Sequence, residues 1–150
     1  MAQISENGLK LLSQLEGVKL KAYKCPAGIW TIGIGSTKYA DGSPVLEGDK
    51  ITKEEAFKLF KDTSSMYSEC IDKCIIRPLT QNEFDALFCL CYNIGCNGFR
   101  KSSLVKFING AQTIEKIKIG FLMWSKVKGL VSKGLLNRRL AEYNLYAKNE

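Results

Sequence analysis

The chain contains no histidine. It therefore lacks both the commonest zinc ligand and the side chain that most readily changes charge near neutral pH. Its six cysteines include no Cys-x-x-Cys pair, so no metal site is expected, and nothing else in the sequence calls for a cofactor. Glu6, Asn7 and Lys10 interrupt the first twelve residues, leaving no apolar run of the roughly 7–15 residues that an export signal needs. No stretch approaches the about 20 apolar residues of a membrane-crossing helix. These absences predict a soluble protein made in the cytoplasm, without a signal peptide and without stable membrane insertion. With only three prolines, no repeat and no low-complexity tract, disorder is expected only over the last residues, 148–150.

The 150 residues fit one domain, and an apolar fraction of 45% is enough to bury a core. Lysine and arginine number 22 against 15 acidic residues, a net charge of +7, which favours a polyanionic partner. The basic residues are spread along the chain and no nucleic-acid-binding signature accompanies them, so nucleic acid is not the expected partner. An acidic polymer or an anionic surface fits the charge equally well.

An even cysteine count invites a disulfide reading, but the spacings argue against it. Cys70 and Cys74 are four apart on a predicted helix, with Cβ atoms about 5–6 Å apart, whereas a disulfide brings them to roughly 3.5–4.5 Å. Cys89 and Cys91 point to different sides of a helix. Free, buried thiols in a reducing compartment are the expectation.

A first helix is predicted from about Ser5, ending at Gly17. Glycines 28, 33, 35, 42 and 48 then punctuate the chain to about Ile51. Within this stretch Trp30, Ile32 and Ile34 alternate with smaller residues, a period-two strand signal. Cys25-Pro26-Ala27-Gly28 reads as the turn joining that strand to one around Leu20–Lys24, giving a small antiparallel sheet. Thr52 with Glu55, and Thr80 with Glu83, are capping boxes. The first opens a predicted helix of roughly 23 residues running to about Cys74, some 35 Å long. The second opens a strongly apolar core helix through Cys91. A turn is predicted at Gly95–Gly98, and further helices over 102–108, 113–127 and 136–147. This is an α+β arrangement: a β-rich lobe at about 17–52, joined by a long helix to a helical bundle lobe at about 75–150 that includes the N-terminal helix, within one domain spanning 1–150. Such a layout leaves a cleft between the lobes, where sites usually form.

Glu16 stands at the end of the first helix. The negative end of the helix dipole disfavours a carboxylate there, a setting that suits a general acid. On the residues alone, an exposed surface charge is the commoner role for such a glutamate, and Cys25 is readable as a structural cysteine beside a turn.

A wider pattern bears on both. Glu16-Gly17, Ala22-Tyr23 and the run from Cys25 through Pro26, Ala27, Gly28, Ile29, Trp30 and Thr31 to Gly35 resemble the signature of the phage-type lysozymes (endolysins), glycoside hydrolase family 24. That family pairs a Glu with an Asp or Cys nine residues on and a Thr six beyond that. The likeness continues through Leu79–Leu87, Tyr92–Gly95, Gly134–Arg139 and Glu142, in the family's order along nearly the whole chain.

The resemblance implies a muramidase that hydrolyses the β-1,4 bond between N-acetylmuramic acid and N-acetylglucosamine in bacterial peptidoglycan, lysing the host. In that reading Glu16 protonates the leaving oxygen and Thr31 helps hold the attacking water. Cys25 stands where Asp is usual and either positions the water, deprotonates it or attacks the sugar itself. Inversion needs roughly 6.5–9.5 Å between the two groups to admit water. The resemblance also places Thr37, Tyr92 and Ser103 at saccharide-contacting positions and Arg138 close to the catalytic glutamate. Tyr92 is alternatively core packing, Ser103 a helix cap, and Arg138 a surface arginine. Ser36 replaces a histidine often found in the family, which removes a pH-dependent charge pair. The implied partner is peptidoglycan, reached by a monomer at the periplasm and cell wall after a holin opens the membrane. A peptidoglycan-binding module with weak activity and a lytic transglycosylase are the alternatives.

Overall fold

The computed structural model describes residues 2–148; of the tail expected to be disordered, Asn149 and Glu150 lie outside them. The chain folds as two compact units, one of residues 9–66 and one of residues 1–8 with 67–150.

The smaller unit begins within helix α1 (Glu6–Glu16), whose Leu9 and Leu12 are buried. Gly17, with φ of +80°, closes the helix by donating its N–H to the Ser13 carbonyl at 2.8 Å. Strands β1 (Lys19–Lys24) and β2 (Trp30–Gly33) follow as an antiparallel hairpin, with Tyr23 opposite Thr31 and Lys24 opposite Trp30. The turn between them is the one the Cys-Pro-Ala-Gly sequence predicts. The Gly28 N–H donates to the Cys25 carbonyl at 2.8 Å, Pro26 supplies the preset φ, and Gly28 takes φ of +80°. Residues 49–51 bond to the other edge of β1, through Ala22 N–H to Asp49 and Ile51 N–H to Leu20. Helix α2 (Lys53–Thr63) carries the predicted Thr52/Glu55 capping box and packs on β2. Ala22, Ile32, Val45 and Leu59 form the core of this unit, flanked by Trp30, Tyr39 and Ile51.

The single helix predicted over 52–74 is instead two, α2 and α3 (Ser65–Cys74). The Thr63 hydroxyl donates to the Leu59 carbonyl at 2.7 Å, and buried Ser64 leaves helical geometry at φ −115°, ψ 17°. A Thr-Ser-Ser run offers the backbone hydroxyl partners that compete with helix continuation.

The larger unit is built around α4 (Gln81–Ile94), in which every residue from Phe84 to Cys91 is buried. The Thr80/Glu83 capping box opens it as predicted. Helices α5 (Cys96–Lys101), α6 (Ser103–Asn109), α7 (Ile114–Leu122) and α8 (Lys133–Ala147) complete the bundle, with α8 packed along α4. Fully buried Asp85 anchors the N-terminal residues: it accepts the Ser5 N–H at 3.0 Å, the Ser5 hydroxyl, and the Gln81 amide at 2.8 Å.

The structure departs from three local expectations. The turn predicted at 95–98 is helix α5 after Gly95. The helix predicted to reach Val127 stops at Leu122, and a hairpin of β3 (Lys126–Val127) and β4 (Leu130–Val131) follows. Lys128 and Gly129 both adopt positive φ, 50° and 81°, the turn geometry that favours a tight hairpin. Finally, Cys70 and Cys96 form a disulfide, while Cys25, Cys74, Cys89 and Cys91 stay outside any disulfide. Spacing along one helix bears only on its own neighbours; the bond joins α3 to α5, 26 residues apart.

Candidate active site

The local fold of the smaller unit gathers Cys25 and Thr31. Cys25 is the last residue before Pro26 in the turn, and Thr31 lies one residue into β2, pointing inward and buried. The Thr31 hydroxyl donates to the Ile29 carbonyl at 2.9 Å. The backbone amides of the turn, Ile29 foremost and then Ala27, hold the Cys25 thiol below its ordinary range; desolvation opposes them, and the Thr31 hydroxyl adds to them.

Glu16 is exposed and is the final residue of α1, ahead of β1 in the same unit. Thr37 is also exposed here; its carbonyl accepts the Val45 N–H at 3.0 Å, which leaves its side chain on the surface.

The other residues singled out from sequence lie in the larger unit. Tyr92 is half-buried near the end of α4 and packs edge-on to Tyr67, ring centroids 5.2 Å apart. Ser103 is the first residue of α6, but the cap is its neighbour: the Ser102 oxygen accepts the Val105 N–H at 3.3 Å. Arg138 bonds within α8, Nε to Glu142 Oε2 at 3.2 Å, and reaches the Cys89 carbonyl at 3.3 Å.

That last contact belongs to a network that the sequence pattern did not single out. Arg139 and Glu142 are both fully buried, with Arg139 Nε 2.8 Å from Glu142 Oε1. Arg139 also donates to Asn93 Oδ1 at 2.7 Å and to the Trp124 carbonyl. Desolvation dominates at both charges, lowering the Arg139 pKa and raising that of Glu142 to about 7 against the pull of two guanidiniums. Charged residues near a C-terminus read as surface in a sequence. The only hint was their place in the segments that carry the family resemblance.

The mostly helical fold with its small antiparallel hairpins is that of a glycoside hydrolase of the lysozyme class. The chain belongs to the phage lysozyme family, whose model matches residues 13–142. It is 38% identical over 146 residues to the endolysin of Salmonella phage P22, covering 97% of this chain and 99% of that protein. It is 37% identical over 147 residues to the endolysin of Acyrthosiphon pisum secondary endosymbiont phage 1, covering 95% and 97%. A crystal structure of a P22 lysozyme variant superposes with a TM-score of 0.91 at 36% identity, covering 99% of this chain and 100% of that one.

Proposed function

We propose that the chain is an endolysin muramidase that hydrolyses the β-1,4 bond between N-acetylmuramic acid and N-acetylglucosamine, with Glu16 as the acid and Cys25 and Thr31 as the pair that handles water. The observation that carries the assignment is the β1–β2 hairpin, whose turn holds Cys25 nine residues after Glu16 and sets buried Thr31 six residues further on, in β2. The lowered Cys25 pKa, owed first to the Ile29 and Ala27 amides, favours a thiolate there.

In this reading Glu16 gives its proton to the leaving glycosidic oxygen as the C–O bond breaks. Water held by Thr31 and Cys25 attacks the opposite face of the oxocarbenium-like sugar, and its proton passes to the Cys25 thiolate. Thr37, Tyr92 and Ser103 contact the glycan, and Arg138, through Glu142, supports the bundle that carries Tyr92 and Ser103. The chain is read as a single domain of two lobes acting as a monomer. No helix among the described residues is long and apolar enough to cross a membrane, so access to the wall is assigned to a separate, holin-type permeabilisation. The net charge of +7 then retains the enzyme on the anionic wall, an attraction that salt screens.

The test compares clearing of cell-wall suspensions by the parent, Glu16→Gln, Cys25→Ser and Cys25→Asp. Glu16→Gln is expected to lose about 10²–10⁴-fold in rate, while Cys25→Asp stays active. Normal lysis by Glu16→Gln removes the mechanism. Mass spectrometry of the fragments separates hydrolysis from the transglycosylase alternative, because only the latter leaves a 1,6-anhydro end. Wall pull-down without clearing would instead favour a binding module.

A further inference from the structure

Three cysteines converge in the larger unit. Cys70 lies on α3, Cys91 in the last turn of α4, and Cys96 opens α5. The reversal at Gly95, at φ +88° with its N–H on the Cys91 carbonyl at 2.8 Å, brings the end of α4 and the start of α5 together. As a result the Sγ atoms of Cys70, Cys91 and Cys96 all lie within 4.8 Å of one another, and Cys70 and Cys91 are buried. A disulfide uses two of these sulfurs, which leaves the third, Cys91, facing the bond without a part in it.

We propose that this cluster, once the Cys70–Cys96 bond is reduced, is a thiolate site for a divalent ion, Zn²⁺, with Cys70, Cys91 and Cys96 as its three protein ligands and water in the fourth position. Zn–S bonds of about 2.3 Å set tetrahedral sulfurs about 3.8 Å apart, so sulfurs already within 4.8 Å need only side-chain rotation to close on an ion. Thiolate is the soft anionic donor the chain offers, and with no histidine the sulfurs are the nitrogen-free choice for Zn²⁺. The redox balance is explicit. A dithiol reductant supplies two electrons and two protons to the disulfide and is itself oxidised to a disulfide, and each sulfur that then ligates Zn²⁺ releases one proton. Disulfide and metal are thus alternative ties through the same sulfurs: the disulfide joins α3 to α5 in an oxidising compartment, and the ion in a reducing one joins α4 to them as well. The absence of Cys-x-x-Cys concealed the site because its ligands come from α3, α4 and α5 rather than from one loop.

The full chain, reduced by a phosphine, stripped with a chelator and then offered Zn²⁺ or Co²⁺, tests this by native mass spectrometry. One ion per reduced chain is expected, and none on the disulfide-bonded chain, with thiolate-to-cobalt charge-transfer absorption for Co²⁺. Cys91→Ala and Cys96→Ser should lose the ion and Cys25→Ser should keep it. Should either cluster variant fail to fold, an alkylation footprint on the parent decides: Zn²⁺ should protect Cys70, Cys91 and Cys96 and leave Cys25 reactive. A reduced, folded parent that takes up no Zn²⁺, binding that persists in Cys91→Ala, or a footprint that Zn²⁺ leaves unchanged would overturn the proposal.

Discussion

The Thr31 hydroxyl donates to the Ile29 carbonyl at 2.9 Å, tying the start of β2 back to the turn that carries Cys25. The turn has a measurable consequence. Cys25 is held below the ordinary thiol range, chiefly by the Ile29 and Ala27 amides, so its thiolate persists to lower pH than that of a free cysteine, whose pKa is about 8.5. Burial moves Cys74 and Cys91 the other way, Cys91 to about 12. Alkylation followed by mass spectrometry should therefore mark Cys25 first. Its pH–rate midpoint should fall below that of a model thiol and rise in Thr31→Val, which removes one donor. A midpoint unmoved by Thr31→Val would show that the hydroxyl does not act on the sulfur.

Gly8 owes its identity to Asp85. A Cβ at residue 8 would stand 2.5 Å from Asp85 Cγ, and Asp85 cannot withdraw, because it is fully buried and holds Ser5 and Gln81. Gly8→Ala should cost about 1–3 kcal/mol, the usual penalty of overpacking. Asp85→Ala should cost a similar amount, since the buried donors it satisfies lose their acceptor. Urea unfolding of both variants measures this, and a Gly8→Ala midpoint equal to the parent's would refute the clash.

How much of the fold and the site is legible in the sequence depends on the range of each interaction. The capping boxes at Thr52 and Thr80, the stop at Gly17 and the Pro26 turn are set by residues within four positions of one another, and each stands where the sequence puts it. The proximity of Cys25 and Thr31 is readable for the same reason, since a short turn and a period of two fix which residues meet. The break at Ser64 and the hairpin at Lys128-Gly129 escape a reading by periodicity, because hydroxyl competition and a paired positive φ outweigh it there. The Cys70–Cys96 bond and the Arg139–Glu142 pair lie beyond reach for another reason. One is settled by which helices pack together. The other is a pair of buried charges, and composition assigns charges to the surface.

Tyr39 gives its phenol proton to Asp49 Oδ2 at 2.6 Å, the oxygen that also accepts the Leu46 N–H at 2.9 Å. Desolvation foremost, then this hydrogen bond, raises the Tyr39 pKa to about 12, while the Tyr39 phenol foremost lowers that of Asp49. A raised phenol stabilises the fold fully below its unfolded pKa of about 10, and that contribution fades as pH climbs to about 12. A lowered carboxyl acts above its unfolded pKa of about 3.9, and its contribution fades as pH falls through the folded value. Both limbs should flatten in Asp49→Asn. The phenolate absorbance assigned to Tyr39 by difference against Tyr39→Phe should titrate near 12 in the parent and lower in Asp49→Asn. A Tyr39 midpoint near 10 in the parent would remove the coupling.

The Cys70–Cys96 disulfide ties α3 to α5 across 26 residues of sequence. Closing a loop of that size removes conformational freedom from the unfolded chain worth about 3–4 kcal/mol on the chain-entropy model. Because the tie acts on the unfolded state, Cys96→Ser should lose close to that amount while the native structure stays intact. Reduction of the parent in the presence of a chelator should match the variant's loss. The effect should fall on the larger unit, so hydrogen exchange at the α4 and α5 amides should accelerate while that of the β1–β2 ladder is less affected. Equal urea midpoints for the oxidised parent and Cys96→Ser would show that the bond contributes nothing to the stability of the fold.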